Sequence, residues 1–233
     1  MPKTIVIVGF GPGVSTAMAE KFGAEGFSVA LVARGAAKLA AGVEALKGKG
    51  IAAGAFPADA GDPVSIRGAI AKARAELGPV GVIHWNAFGG LGLGFGDLLA
   101  VDPATLPSLF NVALVGLLSA VQEALPDLKA AGDGAVLVTN GAFGELNPMI
   151  DAIALGLGAA GISLSNAAKA KLVGLLSARL KDDGVYVGEV TIAGVVKGTG
   201  PDAPGMPTIE GAAIAETFWR LYKARDEIRA RIG

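Results

Sequence analysis

The sequence predicts a single-domain α/β fold, a doubly wound parallel sheet with helices on both faces, and three observations lead there. Six short runs are almost unbroken in apolar residues: Thr4–Val8, Ser28–Val32, Ala52–Phe56, Val80–Trp85, Ala135–Thr139 and Val185–Thr191. A strand covered on both faces reads this way, whereas a half-exposed strand alternates. Helical stretches stand between the runs: Val14–Glu25, Ala36–Lys49, Val64–Leu77, Ala104–Ala131 and Ile153–Lys181. The glycine-rich turn "GFGPGVS" then joins the first strand directly to the first helix. Repeated β-α order with right-handed crossovers gives an open parallel sheet.

Each element carries its own punctuation. Gly26 and Gly50 follow the first two helices and Gly184 ends the long one, where a residue free to adopt positive φ closes a helix. A last helix, Ile209–Ala224, precedes a charged tail. Two glycine-rich segments, Gly89–Gly96 and Gly194–Gly205, follow the fourth and sixth strands. Both leave the carboxyl edge of the sheet, where ligands bind in this architecture. There is no fixed-period repeat and no Pro/Ser linker, and 233 residues suit one large domain with a substantial core.

Composition excludes several function classes. A net charge of −1, with acids and bases spread along the chain, gives no basic footprint for nucleic acid. The chain has no cysteine and a single histidine, His84, so disulfides and thiolate metal sites are excluded and no metal is expected. The longest uncharged stretches are Gly78–Gly96 and Ala152–Ala168. Glycines break the first; the second is short for a span and holds Ser163, Ser165 and Asn166, so buried strands and core helices are expected rather than membrane spans. The apolar start runs straight into a glycine loop and does not resemble a secretory leader, so a cytoplasmic protein is expected.

The turn after the first strand has the chemistry of a phosphate site. Glycine lets a backbone approach a pyrophosphate, and a helix N-terminus offers N–H groups and a positive dipole end. The spacing is Gly9-x-Gly11-x-Gly13, with Val14 and Ser15 opening the helix; the pattern closest to it is GxxxGxG with its last glycine replaced by Ser15. At the end of the second strand stand Ala33 and Arg34, with no carboxylate to meet a ribose 2′-hydroxyl. A guanidinium matches a 2′-phosphate, so NADP(H) is favoured over NAD(H).

At this point the chain resembles the short-chain dehydrogenase/reductase family, a Rossmann-type fold, over nearly its whole length. "VGFGPGVS" is similar to the family's TGxxxGIG, "IHWNAFGG" to its NNAG motif, and "FPADAGDP" to the segment whose aspartate holds the adenine amino group. The resemblance implies cofactor roles for Asp59, Ala60, Asn86 and Ala87. "LFNVALVGLLSAVQEALP" resembles the helix carrying a catalytic asparagine, which implies Asn111. "VGEVTIAGVVKGT" stands where the PG motif and a cofactor-contacting threonine occur, which implies Gly194 and Thr199. The family's YxxxK reads as Ser165-x-x-x-Lys169, and Gly141, after Asn140, takes the place of the serine that polarises the substrate. The resemblance further implies a small-molecule substrate and a homodimer or homotetramer built through the two long helices.

The departures fall where chemistry is expected. Hydride transfer to a carbonyl develops an alkoxide, and a phenol tuned by a lysine cation can donate the proton. A serine hydroxyl is a far weaker acid on a shorter side chain, so Ser165 does not replace a tyrosine directly. Lys169 still suits the nicotinamide ribose, and Asn140 is the candidate oxyanion donor. Glu145 and Asp151 border the expected substrate loop; Trp85, Phe88, Phe143 and Met149 are candidates for core or pocket wall. His84, Tyr186 and Tyr222 read as structural. Two functions stay open: an NADP(H)-dependent oxidoreductase with an altered proton relay, and an NADP(H)-binding protein without dehydrogenase activity.

Overall fold

The computed structural model describes residues 3–89, 96–199 and 207–233. Along the chain run β1 (Thr4–Val8), α1 (Val14–Ala24), β2 (Ser28–Ala33), α2 (Ala36–Lys47), β3 (Ala53–Pro57), α3 (Pro63–Leu77) and β4 (Val80–Trp85). Then follow α4 (Leu106–Phe110), α5 (Leu117–Ala130), β5 (Ala135–Gly141), α6 (Pro148–Gly156), α7 (Ala160–Leu180) and β6 (Tyr186–Ile192). The short strands β7 (Val195–Val196) and β8 (Thr208–Ile209), the helix α8 (Gly211–Ala224) and the strand β9 (Arg229–Ile232) complete it.

Seven parallel strands form one sheet in the order β3-β2-β1-β4-β5-β6-β9. The chain winds outward from β1 in both directions, so the crevice between the carboxyl ends of β1 and β4 is the switch point of the fold. Side chains of a strand alternate faces, and β1 shows the result. Val6 and Val8 pack with Ile66 and Ile70 of α3, Leu117 of α5 and Val173 of α7. Ile5 and Ile7 pack on the other side with Met18 and Phe22 of α1, Leu39 of α2 and Phe218 of α8. Both faces are therefore covered, which is why the strands read as continuous apolar runs. Arg74 of α3 clasps α5 through Asp127 (2.5 Å) and Glu123 (3.0 Å).

Three expectations are corrected. The stretch Ala104–Ala131 is not one regular helix: a π segment, Asn111–Gly116, separates α4 from α5. A Cβ on Gly116 would lie 1.9 Å from Ala60 O, so the helix backbone runs directly against the turn after β3. The run Pro103–Ala130 has an 18-residue window of mean hydropathy 1.8 and is long enough to cross a membrane by length and composition; here it packs on α3 and β4. The stretch Ile153–Lys181 divides into α6 and α7, because the chain turns at Gly158 with φ +64°. The charged tail is in part the edge strand β9, in which Arg229 and Arg231 alternate with the partly buried Ala230 and Ile232.

Candidate functional site

The loop between β1 and α1 is held open from behind. Gly9 and Gly13 have φ of +88° and +79°, which only glycine adopts without strain. A Cβ on Gly9 would fall 2.5 Å from the Ala87 backbone, and one on Gly13 would fall 2.5 Å from Thr199 Cγ2. Ser15, fully buried, donates through Oγ to Gly9 O (2.8 Å) and accepts from Asn86 Nδ2 (2.7 Å). Ser15 and Asn86 thus brace the loop against the end of β4; Val14 is buried beside them. A Cβ on Gly11 would meet nothing within 4 Å, so the backbone there stands bare to a ligand.

A cleft of about 420 Å³ opens at the switch point. Gly9, Phe10 and Pro12 form one wall, and Val32, Ala33 and Arg34 end β2 beside them. Ala58, Asp59 and Ala60 come from the turn after β3; Asn86, Ala87, Phe88 and Gly89 follow β4; Val112 and Thr199 close the far side. Asp59 is oriented by its own turn, with Oδ1 accepting from Gly61 N (2.9 Å). Arg34 is exposed and makes no ion pair with any described residue. A bare glycine backbone, a helix N-terminus, an accessible guanidinium and a carboxylate in one cleft suit a phosphorylated dinucleotide. Gly194 lies outside this lining: a Cβ there would meet Pro207 O at 2.4 Å, so glycine serves the β7–β8 packing.

The substrate end differs from expectation. Asn111 is exposed beside Gly61, its side chain makes no hydrogen bond with a described residue, and it is not joined to Lys169. Asn140 is 4% exposed, and both its amide hydrogens are taken, by Asn166 O (3.0 Å) and Glu189 Oε1 (3.1 Å); neither is left for a substrate oxygen. Ser165 is buried and turns its hydroxyl hydrogen onto Ile162 O (3.0 Å) in its own helix.

The level of α7 against β5 explains this. Gly141, at the strand end, is opposed by Asn166: a Cβ on Gly141 would stand 2.7 Å from Asn166 Nδ2. The helix runs inward from that edge, so Lys169 lies a turn deeper. It is buried with Glu189 as its electrostatic partner, and Glu189 sits in register with Val138, three residues before the end of β5. Burial pushes the Lys169 ammonium down to about 8 despite that carboxylate. The pair at the strand end with four-residue spacing is therefore Ile162 and Asn166, both buried and neither an acid. The sequence reading missed Ile162, Asn166 and Glu189.

The remaining candidates sort cleanly. His84 is fully buried, shares a hydrogen bond with Thr139 Oγ1 (3.1 Å) and packs edge-on against Phe218. Tyr186 donates to Glu227 O, and Tyr222 donates to Asp133, which also pairs with Lys3. Trp85 is core, and Phe143 packs on Ala154, Ala159 and Ile162. Phe88 lines the cleft, Met149 is exposed on α6, and Asp151 is exposed in its first turn. Glu145 is held by Arg231 Nε of β9 (3.0 Å).

Comparison with known proteins agrees with this architecture. A family model described as short chain dehydrogenase matches residues 3–199. Oxidoreductase asL5 of Sarocladium schorii is 26% identical over 206 residues, covering 87% of this chain and 76% of that protein. A metagenomic short-chain oxidoreductase in complex with NADP superposes with a TM-score of 0.81 at 23% identity, over 99% of this chain and 96% of that one. L-sorbose reductase from Gluconobacter frateurii, complexed with NADPH and L-sorbose, gives 0.84 at 18% identity, over 99% and 95%. With a family match over most of its length and the seven-stranded sheet in place, the chain belongs to the short-chain dehydrogenase/reductase family.

Proposed function

We propose that this protein is an NADP(H)-dependent oxidoreductase for a small-molecule substrate, working without a phenolic proton donor. The observation that carries the cofactor choice is Arg34, exposed in the cleft at the end of β2, a strand end that carries no carboxylate. The relatives solved with NADP and NADPH support the same reading. Gly9, Gly11, Gly13 and the first turn of α1 would hold the pyrophosphate, Arg34 the 2′-phosphate, Asp59 the adenine, and Asn86, Ala87 and Thr199 the nicotinamide half. When bound, the nicotinamide supplies or accepts a hydride.

The chain's own groups offer that transfer little acid help. Ser165 bonds to its own helix, Asn140 is saturated and Gly141 has no side chain. A plain ketone should therefore turn over slowly, since general acid catalysis is typically worth about 10²–10⁴ in rate. Substrates that need little protonation, such as an activated C=C or an iminium, suit the site better.

Thermal stabilisation and dissociation constants for NADPH and NADH test the reading. NADPH should bind more tightly, and Arg34→Ala should remove about 1.5–3 kcal/mol of that preference, roughly tenfold to hundredfold. Equal stabilisation by the two cofactors in the unmodified protein would sink the preference. Tight NADPH binding with no turnover across ketones, imines and activated alkenes would make the chain a binding protein.

A further inference from the structure

Beneath the substrate end lies a buried polar cluster that hydride transfer does not use. Glu189 of β6 is 1% exposed. Its Oε1 accepts from Asn140 Nδ2 (3.1 Å) and from Thr191 Oγ1 (3.1 Å). Its Oε2 is buried without a hydrogen bond from any described residue, with Arg229 Nε of β9 at 3.5 Å. Arg229 also donates to Ala170 O (2.6 Å), and the buried Lys169 lies between Asn166 and Ala170, the two α7 residues whose carbonyls meet this cluster. One side chain thus links β5, β6, β9 and α7 just inside the cleft edge.

We propose, building on the oxidoreductase reading, that Glu189 is the positioning residue of the substrate end, orienting Asn140 and serving as counter-charge to the Lys169 ammonium. A carboxylate only accepts, so it fixes which way the Asn140 amide faces. With Nδ2 directed at Glu189 and Asn166 O, Oδ1 is left to accept from Gly141 N (3.0 Å), which sets the last residue of the strand. A buried charge persists only when paired and hydrogen-bonded; Glu189 is 1% exposed, pairs with Arg229 at 3.5 Å, and is the carboxylate whose charge acts on the buried Lys169 ammonium. Among the described residues the other charged groups around α7 are engaged or exposed: Arg229 on Glu189, Glu145 on Arg231, Arg179 on Asp183, and Lys171 and Asp151 in solvent.

The test uses the full chain and follows the ¹³Cε resonance of Lys169, assigned by its loss in Lys169→Met, through a pH titration. Glu189→Gln should lower the Lys169 midpoint, because an opposite charge has been removed, and should shift the Gly141 backbone amide, because Asn140 is freed from the carboxylate. Thr191→Val, which deletes one hydrogen bond to the same carboxylate but no charge, should leave the midpoint in place. An unchanged midpoint in Glu189→Gln, or one that Thr191→Val lowers equally, overturns the proposal. Should Glu189→Gln fail to fold, the comparison becomes Lys169→Met against Glu189→Gln/Lys169→Met. A higher melting temperature in the double variant supports the counter-charge, and an equal or lower one overturns it. The titration needs no cofactor, so absence of NADPH binding would sink the parent reading and leave this measurement intact.

Discussion

His84 is fully buried on β4, and burial pushes its imidazole down to about 3 from the usual 6.5. Below pH 6.5 the unfolded chain binds a proton that the folded chain excludes, so stability falls as pH falls from 6.5 toward 3. The loss at pH 5 should be about 2 kcal/mol. Urea melts at pH 7 and pH 5 check this: His84→Leu/Thr139→Val removes both hydrogen-bonding partners and should flatten that part of the acid limb. Lys169 shows the same sign in a higher pH window. Its ammonium is held near 8 against the usual 10.5, so the full cost of burying the charge applies below pH 8. Between pH 8 and 10.5 the folded chain releases the proton first, and stability relative to Lys169→Met should rise by up to about 3 kcal/mol. A stability difference that stays flat over that window would mean that Lys169 titrates normally in the folded protein. His84 was legible as a structural residue of the fourth strand, whereas the burial of Lys169 was not, because burial of a polar helix residue depends on what packs across from it. The loop glycines were legible for the reverse reason: a phosphate turn imposes its own local spacing.

At the scale of the element, α7 shows why a short motif misleads. Ser165-x-x-x-Lys169 and Ile162-x-x-x-Asn166 have the same spacing and differ by one helical turn. Only the level of the helix against β5, where Asn166 meets Gly141, separates them. The π segment of Asn111–Gly116 was hidden similarly, since apolar periodicity does not register one extra residue in a turn. The edge strand β9 read as a charged tail because Arg229 and Arg231 mask a two-residue alternation. The register has an enzymatic consequence. Ile162→Tyr/Asn166→Lys/Gly141→Ser should install an acid, a cation and a hydroxyl at one strand end, and the Asn166 change removes the amide that would crowd Ser at 141. NADPH oxidation with a plain ketone should rise by about 10²-fold or more over the unmodified protein. Ser165→Tyr/Gly141→Ser should give no comparable gain, because position 165 is buried against its own helix. Equal gains from the two designs would show that Ser165 reaches the reacting centre after all.

For the whole molecule, the parallel sheet and its two-faced core followed from continuous apolar runs, since a parallel sheet has no wet face to break the pattern. What those runs do not account for is the apolar surface left over. Val115 of the π segment is 40% exposed, Leu118 of α5 is 38%, and Leu164 and Leu175 of α7 are 45% and 56%. Helices that cover one sheet face do not need large side chains on their outer sides, and apolar residues there suit an interaction surface. We expect a homodimer or homotetramer built across these helices, with the same face self-complementary about a two-fold axis. Light scattering at micromolar concentration should report a mass of at least two chains. Leu118→Lys/Leu164→Lys places like charges on the contact face and should shift the population to monomer. Both positions face outward, so the fold should persist and NADPH affinity should change by less than about twofold. An unmodified protein that scatters as a monomer would leave this apolar face to some other partner. A charged variant that stays oligomeric would place the interface on another surface.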